Sequence, residues 1–156
     1  MSGAFHADRS DGVARQRAYY ATTAGLYDEM HQSEHKSSLA MPFFLAALDH
    51  LGISSILDVC SGTGVALMKI KDRRPHIAIV RIEPVSELRR IGHAKGLSEA
   101  ELIGGDATNL PFEGASLDLV CEFATLHHIP EPSRAVAEML RVARKAIFIC
   151  DSNNFG

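Results

Sequence analysis

The chain has 156 residues, a length that one domain fills. It is 46% hydrophobic and 22% charged, a globular balance that excludes general disorder. Sixteen Lys and Arg against nineteen Asp and Glu leave a net charge of −3, without the basic excess of a nucleic-acid binder.

No apolar run approaches the roughly 18 residues that span a bilayer, so no membrane association is expected. The opening MSGAFHADRSDG has no signal-peptide core. Cys60, Cys121 and Cys150 fit no zinc or redox spacing and read as buried free thiols on strands. Their odd number fits a reducing compartment, and a cytoplasmic location is expected. The eight His are scattered except for His127-His128, so no metal site is expected. A chain of this size buries about 70% of its unfolded surface and needs no disulfide or metal to fold.

Residues 1–12 are polar and expected to fray. Residues 13–30 read as one or two short helical pieces, interrupted near Gly25. From His35 to Leu51, Leu39, Phe43, Phe44, Ala47, Leu48 and Leu51 recur at helical spacing. Pro42 kinks that segment or marks its true start, and Gly52 stops it. Short apolar runs and amphipathic stretches then alternate. Strands are expected at Ser55–Val59, Ile77–Ile82, Glu101–Ile103, Leu117–Glu122 and Ala146–Cys150. Helices are expected at Gly64–Arg73, Val85–Lys95 and Ser133–Arg141, with Ser133 as the cap of the last. Strands of continuous Val, Ile and Leu between helices indicate a parallel sheet covered on both faces. Right-handed crossovers make it an open, doubly wound α/β sheet.

Ligands of such sheets bind outside the carboxyl ends of the strands. The first strand runs into Asp58-Val59-Cys60-Ser61-Gly62-Thr63-Gly64. Gly62 and Gly64 supply positions where φ is positive or a ligand approaches the backbone. The dinucleotide pattern G-x-G-x-x-G fails because Leu67 stands at its third glycine, and no G-K-[ST] phosphate loop follows. Asp58 before the turn repels a pyrophosphate and suits a ligand with an ammonium group. These two features disfavour a nicotinamide-dependent dehydrogenase. Glu83 ends the second strand, 19 residues after Gly64, where an acid accepts from both hydroxyls of a ribose. Asp106 follows the third strand. Its carboxylate can accept from an exocyclic amine while the amide of Ala107 serves a ring nitrogen. Each acid also has a plain structural reading, as a turn residue or a helix-start charge.

Taken together, ILDVCSGTG (56–64), IEPVSEL (82–88), GDATNLPF (105–112), LDLVCEFATLHHIPEP (117–132) and AVAEMLRVARKAIFI (135–149) resemble the class I S-adenosylmethionine-dependent methyltransferases. The resemblance is closest to the small-molecule branch called type 11 or UbiE-like. It implies a Rossmann-like, mostly parallel sheet of order 3-2-1-4-5, with residues 35–156 as the cofactor-binding core and residues 1–34 as an N-terminal lid. It implies S-adenosyl-L-methionine as cofactor, S-adenosyl-L-homocysteine as product, and a small molecule or glycan unit as acceptor. By residue, Asp58, Cys60, Gly62 and Gly64 match the motif around the methionine moiety, and Glu83 with Pro84 the ribose site. Asp106 and Ala107 match the adenine pair. Glu122, Phe123 and Ala124 match the segment near the methionyl group and acceptor. Tyr19, Tyr20 and Tyr27 fall in the lid region, and Tyr27 is assigned to the cofactor.

Two features depart from the family pattern. Cys60 stands at the usual first glycine, a position that tolerates a side chain where φ is negative. The family's last helix and hairpin do not follow Cys150, and the link Val142–Lys145 lacks the usual glycine. The fifth strand is therefore expected to have an unpaired outer edge, which invites dimerisation or strand exchange, or else the chain is a piece of a longer protein. Methyl transfer from a sulfonium needs positioning and desolvation, and a base only for a nucleophile that must lose a proton. His127 and His128 are the candidate bases, and packing of the loop before Pro130 is the plainer reading; Glu122 is a weaker candidate. Cys60 has no neighbouring His in sequence to activate it as a nucleophile. The Arg and Lys groups at 69–74 and 141–145 read as helix-end charges. The alternative to an enzyme is a non-catalytic cofactor-binding or interaction module, a truncated methyltransferase core.

Overall fold

The computed structural model describes residues 9–30 and 40–151. The described elements are α1 (Arg9–Thr23), a 3₁₀ turn (Ala24–Leu26), α2 (Ala40–His50), β1 (Ser55–Val59), α3 (Met68–Arg73) and β2 (Ala78–Ile82). They continue with α4 (Ser86–Ala94), β3 (Leu102–Ile103), β4 (Leu117–Phe123), α5 (Pro132–Val142) and β5 (Ala143–Cys150). The five strands form one sheet in the order β3-β2-β1-β4-β5. Every pairing is parallel, with Leu57 opposite both Val80 and Val120.

The side-chain alternation of β1 divides the core. Ile56 points to the face covered by α2 and α3, against Phe44, Leu48, Leu67 and Ile70. Leu57 and Val59 point to the opposite face, against Ala135, Met139 and Val142 of α5. Burying each such aliphatic side chain contributes roughly 1.5–3 kcal/mol. A third cluster, Ala24, Val85 and Leu88 with Tyr20 and Tyr27, seats the N-terminal segment on α4.

Several boundaries differ from the sequence expectation. Helix α1 begins at Arg9, so residues 9–12 are helical. Residues 1–8 of the segment expected to fray, and the boundary at 34/35, lie outside the described residues. The segment expected as one helix over Gly64–Arg73 divides into a 3₁₀ turn, Val65–Leu67, and α3. Gly64 is left-handed (φ 76°) and Leu67 leaves the α region (φ −100°, ψ 3°), which separates the two. Ser133 is not the cap of α5. Glu131 occupies that position without a side-chain cap bond, and Pro132 opens the helix where its missing N–H costs nothing.

No link separates α5 from β5. The strand starts at Ala143, opposite Leu117, and Arg144 reaches Asp118 across the sheet (Nη2 to Oδ1, 2.7 Å). This pairing adds three residues to the expected strand. Asp118 is 1% exposed. Its carboxylate also accepts the Ser54 amide (2.8 Å) and hydroxyl (2.6 Å) at the amino ends of the strands. The outer edge of β5 has no strand partner among the described residues.

Candidate functional site

The carboxyl ends of β1, β2, β3 and β4 open onto a cavity of about 460 Å³, inside the roughly 300–1,000 Å³ range of small-molecule sites. Strand chemistry explains its position. All parallel strands end on the same side, so the residues that follow them converge there.

Asp58 lines the floor. It lies on β1 opposite Arg81 of β2 and is 2% exposed. Burial raises its carboxyl to about 7, partly countered by Arg81. Its Oδ2 has no hydrogen-bond partner, and neither has the buried Oγ of Ser61, which also lines the cavity. Buried polar atoms without partners cost free energy unless a ligand meets them.

Arg81, fully buried, donates from Nε to the Gly64 carbonyl (3.2 Å), which ties the glycine turn to the sheet. Glu83 follows β2 directly and lines the same cavity. Its Oε2 accepts the Gly62 amide (2.9 Å) and its Oε1 the Val85 amide (2.8 Å). Burial raises its carboxyl to about 7, against the pull of those two amides. Each oxygen keeps a second lone pair for a ligand hydroxyl.

The glycine turn is built differently at each residue. Cys60 has φ 56°, the left-handed conformation that favours glycine. The condition under which a side chain is tolerated there is therefore not met, and the position carries about 1–2 kcal/mol of strain. The thiol stands in the cavity wall, and burial, followed by the nearby Glu83, pushes its pKa well up. Gly62 (φ 58°) sits under Tyr27; a Cβ there would meet the phenol oxygen at 2.5 Å. Gly64 lies outside the cavity wall, where a Cβ would meet Leu97 and Arg81.

Asp106 and Ala107 line the cavity beyond β3. Asp106 Oδ1 accepts the amide (2.9 Å) and hydroxyl (2.8 Å) of Thr108. Its Oδ2 accepts from Arg17 of α1 at 3.1 Å. Burial raises this carboxyl, but the Thr108 and Arg17 hydrogen bonds prevail and hold it below the usual range.

Phe123, Ala124 and Pro84 complete the assigned residues in the wall. Glu122 does not reach it. Its Oε2 accepts the Thr125 and Leu126 amides and its Oε1 the Cys150 amide (3.1 Å), so it organises the loop after β4. The two His separate. His128 lines the cavity and hydrogen-bonds Tyr20 (3.1 Å), whereas His127 is outside it, paired to Asp151 (Nδ1 to Oδ1, 2.5 Å). Tyr20 and Tyr27 line the cavity; Tyr19 is half exposed and packs edge-on against Tyr20.

Arg17, Ser61 and the Asp28-Thr63-Lys95 group join the site without a role expected from the sequence. Arg17 precedes Tyr20 by one helical turn, a signal of a shared face that was available. Asp28 accepts from the Thr63 hydroxyl (2.6 Å) and pairs with Lys95, joining the N-terminal segment to the glycine turn. No local pattern announces that join.

These residues fit a ligand that carries an ammonium group, ribose hydroxyls and an exocyclic amine. Asp58 presents an unmet buried acceptor, and Glu83 and Asp106 present acids at the ends of the next two strands.

Residues 57–150 match the family model described as a methyltransferase domain. A demethylmenaquinone methyltransferase of Thermotoga maritima is 31% identical over 90 residues, 58% of this chain and 39% of that protein. A malonyl-[acyl-carrier protein] O-methyltransferase of Laribacter hongkongensis is 26% identical over 154 residues, 92% of this chain and 50% of that protein. The chain thus spans half or less of the length of these curated relatives. Among solved structures, a SAM-dependent methyltransferase of Thermotoga maritima superposes with TM-score 0.61 at 21% identity, over 81% of this chain and 56% of the other. With matched residues running from β1 to the end of β5 and acids at the ends of successive strands, the chain belongs to the methyltransferase domain family.

Proposed function

We propose that the protein transfers a methyl group from S-adenosyl-L-methionine to a small-molecule or glycan-unit acceptor. The carrying observation is the convergence of Asp58, Glu83 and Asp106 on one cavity, with Asp58 Oδ2 buried and unmet. When bound, the cofactor supplies a sulfonium methyl group with a neutral leaving group. The chain's own residues do the rest. Asp58 holds an ammonium group, Glu83 takes ribose hydroxyls, and Asp106 with the Ala107 amide reads an adenine edge. Phe123, Tyr20 and Tyr27 exclude water from the reacting end, which strengthens each polar contact. Carbon acceptors and protic acceptors both fit this frame; a protic one needs a base. His128 is the imidazole in the wall.

Titration calorimetry with S-adenosyl-L-homocysteine tests this reading directly. Saturable one-to-one binding, weakened by Asp58→Asn and Glu83→Gln, is expected. A folded sample without binding refutes it. Binding without turnover across an acceptor panel would favour a non-catalytic cofactor-binding module.

Two further features go with this reading. Cytoplasmic residence agrees with three free thiols. No helix among the described residues is long and apolar enough to cross a membrane. The β5 edge supports a homodimer, and light scattering that shows a monomer at all concentrations would remove that part.

A further inference from the structure

The N-terminal segment crosses the cavity that the sheet builds. Three contacts hold it there: Tyr27 over Gly62, Asp28 on Thr63 and Lys95, and Tyr20 on His128. The fourth contact is of a different kind, because it consumes a functional group. Asp106 has one oxygen occupied by the Thr108 amide and hydroxyl. Its other oxygen, Oδ2, is held by the Arg17 guanidinium at 3.1 Å. Arg17 also lies near the second acid: burial pushes the Glu83 carboxyl up, and Arg89 and Arg17 are the cations that counter it. Arg17, Glu83 and Asp106 line the same cavity, and the guanidinium is paired to one of the two acids that an adenosine would use.

We propose that Arg17 is an internal competitor for the adenosine half of the cavity, an autoinhibitory contact that vies with an incoming nucleoside for Asp106. This rests on the reading of the cavity as an adenosine-binding site. Because Oδ1 is already doubly engaged, an exocyclic amine must turn to Oδ2, where it shares the oxygen with the Arg17 guanidinium and competes with it for the carboxylate's charge. Both side chains are about half exposed (47% and 49%), so the pair is weak and salt-sensitive. Such a contact raises the threshold for binding without blocking it.

The experiment is calorimetry with S-adenosyl-L-homocysteine on the full chain and on Arg17→Gln, at low salt and at high salt. Arg17→Gln changes an exposed helix residue, and a melting curve confirms that it folds. The variant is expected to bind about two- to fivefold tighter than wild type at low salt, the range of an exposed ion pair. The ratio is expected to fall toward one at high salt, where the pair is screened. Asp106→Asn provides a second check: adding Arg17→Gln to it changes affinity by less than the single replacement does in wild type. Equal affinity of wild type and Arg17→Gln at low salt overturns the proposal, because the guanidinium then competes with nothing. Weaker binding by Arg17→Gln also overturns it and makes Arg17 a direct ligand. If neither folded protein binds, the adenosine reading falls, and the competitor with it.

Discussion

Replacing Gly62 with Ala tests how the N-terminal segment is seated on the glycine turn. Gly62 has φ 58°, and a Cβ there would lie 2.5–2.7 Å from the oxygen, Cε1 and Cζ of Tyr27. The left-handed conformation costs an L-residue about 1–2 kcal/mol. Displacing a packed ring costs a further 1–3 kcal/mol or so. The total is about 2–5 kcal/mol, and at about 2–4 °C per kcal/mol for a chain of this size the melting point falls by roughly 4–20 °C. The assay is denaturant unfolding of wild type, Gly62→Ala, Tyr27→Ala and the double variant. With Tyr27 truncated the ring is gone and only the backbone strain remains, so Gly62→Ala costs about 1–2 kcal/mol in that background. The coupling between the two sites is the cost of the displaced ring. If Gly62→Ala costs the same in both backgrounds, Tyr27 does not rest on the turn and the seating of the segment is wrong.

Other outcomes follow from the buried charges and thiols. Asp58 and Glu83 have carboxyls raised to about 7, so the folded protein retains protons that the unfolded chain releases from about pH 4 upward. Stability therefore falls as pH rises from about 4 to 7 and levels off above; Asp58→Asn flattens that limb in thermal melts. Below about pH 4 the sign reverses. Asp118 is held low chiefly by the Ser54 hydroxyl and Glu138 to about 2 by Arg141, so stability is lost as acid protonates them. Asp118→Ala leaves Arg144 and the Ser54 amide without their acceptor. It is expected to destabilise by about 1–3 kcal/mol, the cost of a buried amide left without its acceptor, yet a folded sample retains its affinity for S-adenosyl-L-homocysteine, because Asp118 sits at the opposite end of the strands. Cys60 and Cys121 have pKa values raised by burial. Both are expected to alkylate about tenfold or more slowly than a free thiol at neutral pH, and rapid labelling of Cys60 would refute the suppression of its thiolate by burial and Glu83.

The sequence by itself determined the layers and the order of the chain through them. Runs such as SILDV and LDLVCE carry apolar residues on both faces, so they lie inside a covered parallel sheet. It also determined where the acids stand, since a residue after a parallel strand lies at the carboxyl edge whatever the details of packing. Asp58, Glu83, Asp106 and Phe123 accordingly line one cavity.

What the sequence left open depends on contacts between residues far apart in the chain. Glu122 is two residues from the cavity wall's Ala124, yet it turns toward the Thr125, Leu126 and Cys150 amides because β5 brings Cys150 beside it. His127 and His128 are indistinguishable in sequence; Asp151 takes one and Tyr20 the other. Asp28 is an ordinary acid until the fold sets it against Thr63 and Lys95. The start of β5 at Ala143 likewise depends on Asp118, whose carboxylate draws Arg144 into the sheet. Period and strand chemistry are local properties and can be read along the chain. The partner of a carboxylate or an imidazole is set by which distant segment packs beside it, and only the tertiary structure decided that Arg17 would face Asp106.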